Sequence, residues 1–188
     1  METKEKPDGG PALAHPQPTE DAMSVQHEVH VTTKLLPSGP EAKFNFPENA
    51  ALLEVLEEGA KHLSIQLLPP APGKPLDLLR DISHGQVEPV IENLDQTLGD
   101  YLKEKGTTAH FGIELVLAFR VNTRWAVATA EQMTPKQILA LQAINLPYEQ
   151  YTLYLPGSSD PLPLDTPITL TRGEALEAQK DGKYGGRE

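Results

Sequence analysis

Apolar and polar positions change period several times along the chain, and each change marks an element. Residues 27–36 alternate, with Val29, Val31 and Leu35 in one series, as in a half-buried strand. Pro37-Ser38-Gly39-Pro40 is a turn cluster. Phe44 and Phe46 then share a face within residues 42–46, so a hairpin is predicted. The period lengthens after Glu48-Asn49. Ala51, Leu52, Val55, Leu56 and Ala60 recur at helical spacing up to His62, and Gly59 weakens the last turn. Glu54, Glu57, Glu58 and Lys61 fall on the polar, solvated face. Residues 65–68, 75–82 and 87–91 are candidate strands, separated by the proline run at 69–73 and the turn at His84-Gly85. A short polar-apolar turn or helix at 95–102 leads into residues 111–119, the most apolar strand.

A second round starts at once. Residues 117–122 and 124–128 form strand and strand around a turn at Asn122-Thr123. Thr134, Pro135 and Gln137 carry the signature of a helix start: N-cap, first helical position and the residue three after the cap. Ile138, Leu139, Leu141 and Ile144 give that helix, 135–144, its buried stripe. Residues 150–155 are a strand, 156–160 a loop, and 167–172 the closing strand. A hairpin, one helix, further strands and a closing strand, twice over, predict an α+β chain of two tandem β-grasp domains. The expected boundaries are a disordered leader at 1–26, domains at 27–117 and 118–179, and a flexible tail at 180–188. Residues 111–121 are long enough to close one domain and open the next without a Gly/Ser linker.

Composition narrows the picture. The chain has 188 residues, 18 of them proline and 14 glycine, which suits one ordinary or two small domains with many turns. Residues 1–26 have few large apolar side chains, too few to offset the entropy of ordering them. The formal charge of −11 favours solubility and a basic partner surface, and no basic cluster suggests nucleic acid. No apolar run reaches the length of a membrane span, and no apolar signal core stands at the N-terminus, so a cytoplasmic protein is expected. There is no cysteine, which excludes disulfides, thiolate metal sites and a cysteine nucleophile. In any thioester relay this chain would be cargo. His27 and His30, three apart in a strand, point to opposite faces and make a poor metal pair. His15 is expected to be solvated. Asp77, Asp81, His84 and Glu88 lie near one another in sequence but read as ordinary loop residues. No catalytic site, cofactor or metal is expected, and an enzyme is disfavoured.

Two stretches carry a family resemblance. Thr97-Leu98-Gly99-Asp100-Tyr101, then polar Lys103 to Thr107, then Leu115-Val116-Leu117 resembles the last third of ubiquitin over about twenty residues. There, Thr-Leu-Ser-Asp-Tyr precedes a Lys-Glu-Ser-Thr turn and a closing Leu-Val-Leu strand. Val121-Asn122-Thr123, residues 134–139, 151–154 and 165–170, and the nearby Gly173-Glu174 resemble, in order, the motifs of the bacterial multi-ubiquitin-type domain. Thr123 departs from that pattern, where glycine is commoner, as does the glycine pair near the end of this chain.

The resemblance gives the tail a meaning. On its own, Gly185-Gly186 fits a frayed terminus. It also fits a narrow channel, because a glycine pair has no Cβ atoms. The run from Lys180 to Gly186 would reach on the order of 20–25 Å when extended. Bacterial ubiquitin-like conjugation systems of phage defence imply the corresponding chemistry. A metal-dependent deubiquitinase-like peptidase removes Arg187 and Glu188. An ATP-dependent activating enzyme adenylates the new Gly186 carboxylate. A conjugating enzyme accepts it as a thioester and passes it to an amine of a protein target. Gly182 stands where ubiquitin has an arginine read by its activating enzyme. Lys183 and Tyr184 also depart from that pattern, so these three are candidate recognition positions. The alternative is a noncatalytic multi-ubiquitin-type binding scaffold with an inert tail.

Overall fold

Strand β1 (Glu28–Leu35) and strand β2 (Glu41–Pro47) pair antiparallel, Val31 opposite Phe44, and so form the expected hairpin. The computed structural model describes residues 27–70, 73–86 and 89–182; the expected leader at 1–26 lies outside them. Helix α1 (Leu52–His62) buries Leu52, Val55, Leu56, Gly59 and Ala60. It starts later than the sequence suggests because its first amide groups bond elsewhere. Leu52 N donates to Gln96 O at 3.0 Å, and Leu53 N to Leu94 O at 2.9 Å. A loop therefore satisfies the orphan N–H groups that a side-chain cap would otherwise serve. Gly59 proves to be a contact point: a Cβ there would lie 2.6 Å from Thr33 Cγ2, so only glycine lets α1 come this close to β1.

Strand β3 (Leu78–Asp81), helix α2 (Leu98–Lys105) and strand β4 (His110–Glu114) complete the first half. Thr97 caps α2 by accepting from Asp100 N, and Gly106 ends it in the left-handed region at φ 61°. The first sheet has the order β2-β1-β4-β3, with β1 and β4 parallel. Its core gathers Val31, Leu56, Leu79, Leu98, Phe111 and Ile113. Residues 65–68 are not a strand. Leu68 N donates to the Asp77 carboxylate at 2.8 Å, which holds this segment as a loop. Of the expected strand at 87–91, Val90 makes one bridge, to Arg80, and Val87 and Glu88 lie outside the described residues.

The apolar run at 111–119 divides between two sheets. After β4 the chain leaves the ladder at Leu115, Val116 and Leu117, then opens strand β5 (Ala118–Val121). Leu115 packs on the first core and Leu117 on the second. Strand β6 (Arg124–Val127) returns antiparallel across Asn122-Thr123, with Asn122 at φ 55°. Strand β7 (Gln132–Met133) precedes helix α3 (Pro135–Ala140), whose capping box is complete: Gln137 N bonds Thr134 Oγ1 at 3.2 Å, and Thr134 N bonds Gln137 Oε1 at 2.8 Å. Thr134→Ala is expected to cost about 1 kcal/mol of stability in urea unfolding. The helix stops short of Ile144 because Leu141 adopts ψ 136°; Leu141 is half-buried, and Ile144 reaches the core from the turn that follows.

The last stretch differs most from expectation. Strand β8 (Tyr151–Tyr154) forms as predicted, but within 167–172 only strand β9 (Ile168–Thr169) pairs, and it pairs with β7. Gly173, at φ 85°, then turns the chain, and strand β10 (Ala175–Lys180) closes the sheet. The order is β6-β5-β10-β8, with β10 parallel to β5 and antiparallel to β8. Its layout repeats that of the first sheet: outer hairpin strand, inner hairpin strand, parallel closing strand, antiparallel partner. Phe119, Ile138, Leu139, Leu153, Leu170 and Leu176 form the second core. The architecture is mixed α and β, with ten strands and three helices among the described residues.

Candidate functional site

The tail begins later than the sequence suggests. Lys180 belongs to β10 and pairs with Tyr151. Asp181 N donates to Gln150 O at 2.8 Å, and Thr152 Oγ1 donates to the Asp181 carboxylate at 2.7 Å. The body therefore holds the chain through Asp181. Gly182 follows, exposed, with nothing within 4 Å of the position a Cβ would take. Gly182→Arg is accordingly expected to shift unfolding free energy by no more than about 0.5 kcal/mol in denaturant titration. Lys183, Tyr184, Gly185, Gly186 and Arg187 lie outside the described residues.

Of Asp77, Asp81, His84 and Glu88, the last lies outside the described residues, and Asp77 stands apart from Asp81 and His84. Asp81 and His84 line one groove of about 660 Å³, together with Gln96, Tyr101, Glu104 and Lys105. The Asp81 carboxylate is buried and already engaged: it accepts from Ser83 N at 2.8 Å, Ser83 Oγ at 2.5 Å and Tyr101 Oη at 3.0 Å. His84 Nδ1 stands 3.4 Å from Ser83 Oγ, and that hydroxyl has Asp81 and Thr107 as closer partners. In this geometry Asp81 ties the end of β3 to α2 and the following loop. On the groove rim, the Gln96 amide donates to Glu104 and, with Lys105 nearby, holds its carboxyl below the usual range. His30, on β1, shares a 2.8 Å hydrogen bond with Asn45.

Asp77 stands elsewhere, at the join between the two halves. Its side chain is fully enclosed and accepts from Leu68 N at 2.8 Å, Val116 N at 3.0 Å and Arg172 Nη2 at 2.5 Å. Arg172 also donates to Gln66 O at 2.9 Å. One carboxylate thus fastens the 65–68 loop, the connection between β4 and β5, and the segment before β10. Sequence reasoning passed over this role because the partners lie 95 residues apart. The chain matches no protein-family model and no curated protein.

Proposed function

We propose that this chain is a ubiquitin-like protein modifier built from two tandem β-grasp domains, the second of which carries the conjugable tail. The carrying observation is that β10, held between β5 and β8, leads directly into the Gly182–Gly186 segment. The repeated sheet layout supports the tandem β-grasp reading. Gly182 to Gly186 are five residues, which fully extended would span about 15 Å, less than a tail rooted at Lys180 would. The residues around Asp181 must then approach the partner's entrance closely.

In this reading the chain supplies no catalytic group. A carboxylate is a poor acyl donor until activated, and activation belongs to partner enzymes. The peptidase exposes Gly186, the activating enzyme forms its adenylate, and the conjugating enzyme carries the thioester to a target amine. By resemblance, the setting is bacterial antiphage defence in the cytoplasm. Gly182, in place of ubiquitin's arginine, together with Lys183 and Tyr184, directs recognition to a dedicated activating enzyme.

The test is reconstitution of a chain ending at Gly186 with activating and conjugating enzymes of the bacterial ubiquitin-like type. Mass-resolved conjugates on target amines are the expected product. If enzymes verified as active yield none, the chain acts as a binding scaffold with an inert tail.

A further inference from the structure

We infer that Asn122 positions the conjugable tail, by serving as a side-chain extension of strand β5 that pins the end of β10; this rests on the modifier reading. The backbone ladder between β5 and β10 is short, with Ala175 opposite Arg120 and Leu176 opposite Val121. Beyond Val121 the chain turns away into the hairpin, so β5 has no further main chain to offer. Asn122 occupies that turn at φ 55°, and its own N–H donates to Leu176 O at 2.9 Å. Its side-chain amide then does what the next strand residue would do. Asn122 Oδ1 accepts from Ala178 N at 2.9 Å, and Asn122 Nδ2 donates to Ala178 O at 3.1 Å.

The opposite flank of β10 is held in parallel fashion. Main-chain pairing with β8 runs to Lys180, and Gln150 and Thr152 extend it to Asp181. Asn122 is thus the described residue that holds Ala178 from the β5 side, four positions before Gly182. Few other residues could serve. The side chain needs both a donor and an acceptor, and asparagine also tolerates the left-handed backbone that the turn imposes. A pinned stem fixes where the chain leaves the body at Gly182, so less of that placement has to be selected when a partner binds.

Asn122→Gly is the informative variant, because glycine keeps the turn's positive φ and removes only the side-chain clamp. In the full chain, amide exchange at Ala178 is expected to rise on the order of tenfold or more, with Ile138 and Leu139 in the core unchanged. Thr152→Val loosens the other flank and should speed exchange at Asp181 by a smaller factor. In transfer assays with Gly186-ended chains, Asn122→Gly should lower the rate of adenylate or thioester formation several-fold. Inhibition by chains truncated after Asp181 should be equal for the two sequences, since their bodies bind alike. Unchanged exchange at Ala178 would overturn the clamp. Faster exchange with unchanged transfer would overturn the positioning role. If the wild-type chain transfers nothing to verified enzymes, the modifier reading fails and the tail-positioning role fails with it, while the exchange result still reports on the clamp.

Discussion

Asp77→Ala is expected to remove about 3–5 kcal/mol of stability, because the enclosed carboxylate serves three donors and each one left unsatisfied costs about 1–3 kcal/mol. Three donors lose their acceptor at once: Leu68 N, Val116 N and the Arg172 guanidinium. The first two are backbone groups of the loop at 65–68 and of the connection between β4 and β5, and the Arg172 guanidinium keeps its bond to Gln66 O. Domains of this size are stable by only about 5–15 kcal/mol, so the variant approaches the limit of folding. Asp77→Asn should cost less, because an amide oxygen still accepts. Pairing Asp77→Asn with Arg172→Met should recover part of the loss, since no buried charge is then left alone. Urea unfolding of the single and double variants measures the coupling. A loss under about 1 kcal/mol for Asp77→Ala would mean that water replaces the carboxylate freely, against its enclosure.

Gly186→Ala in a chain ending at residue 186 should slow acyl transfer on the order of 100-fold, with no change in fold. A Cβ at the terminal position widens the tail where the reactive carboxylate must be aligned, and a misplacement of about 1 Å can cost that much rate. Gly185→Ala should act in the same direction. Stability should stay within about 0.5 kcal/mol of the parent, as the expectation of an unpacked tail read from the sequence requires. Single-turnover thioester formation at matched protein concentration reads the rate, and urea unfolding reads the stability. Equal rates for glycine and alanine would remove the narrow-channel argument.

Local chemistry was the legible part of this fold. The Thr134 capping box and the Asn122-Thr123 turn depend on residues within a few positions of one another, and the sequence displays them. The helix α1 stripe was legible for the same reason, although its start was set by Gln96 and Leu94 from far along the chain. The closing strand was not legible. Ala175, Leu176, Glu177, Ala178, Gln179 and Lys180 are all good helix formers, and only the slot between β5 and β8 makes them extended. Residues 167–172 alternate more cleanly, yet flanking prolines and the Gly173 turn leave only two of them paired. The Asp77–Arg172 join was invisible because sequence patterns carry no information about partners so far apart. The candidate site was read from Gly185-Gly186 and its neighbours, and the structure adds how β10 and Asp181 before it are held.

Intact-mass analysis of the full-length chain bears most directly on the modifier reading. The protein is incubated with ATP and an activating enzyme of the bacterial ubiquitin-like type, with and without a metal-dependent deubiquitinase-like peptidase. The account predicts that peptidase removes Arg187 and Glu188 by cleavage after Gly186, and that only the shortened chain appears as a thioester on the enzyme. Full-length protein that forms the thioester equally well without peptidase, still carrying Arg187 and Glu188, would contradict it.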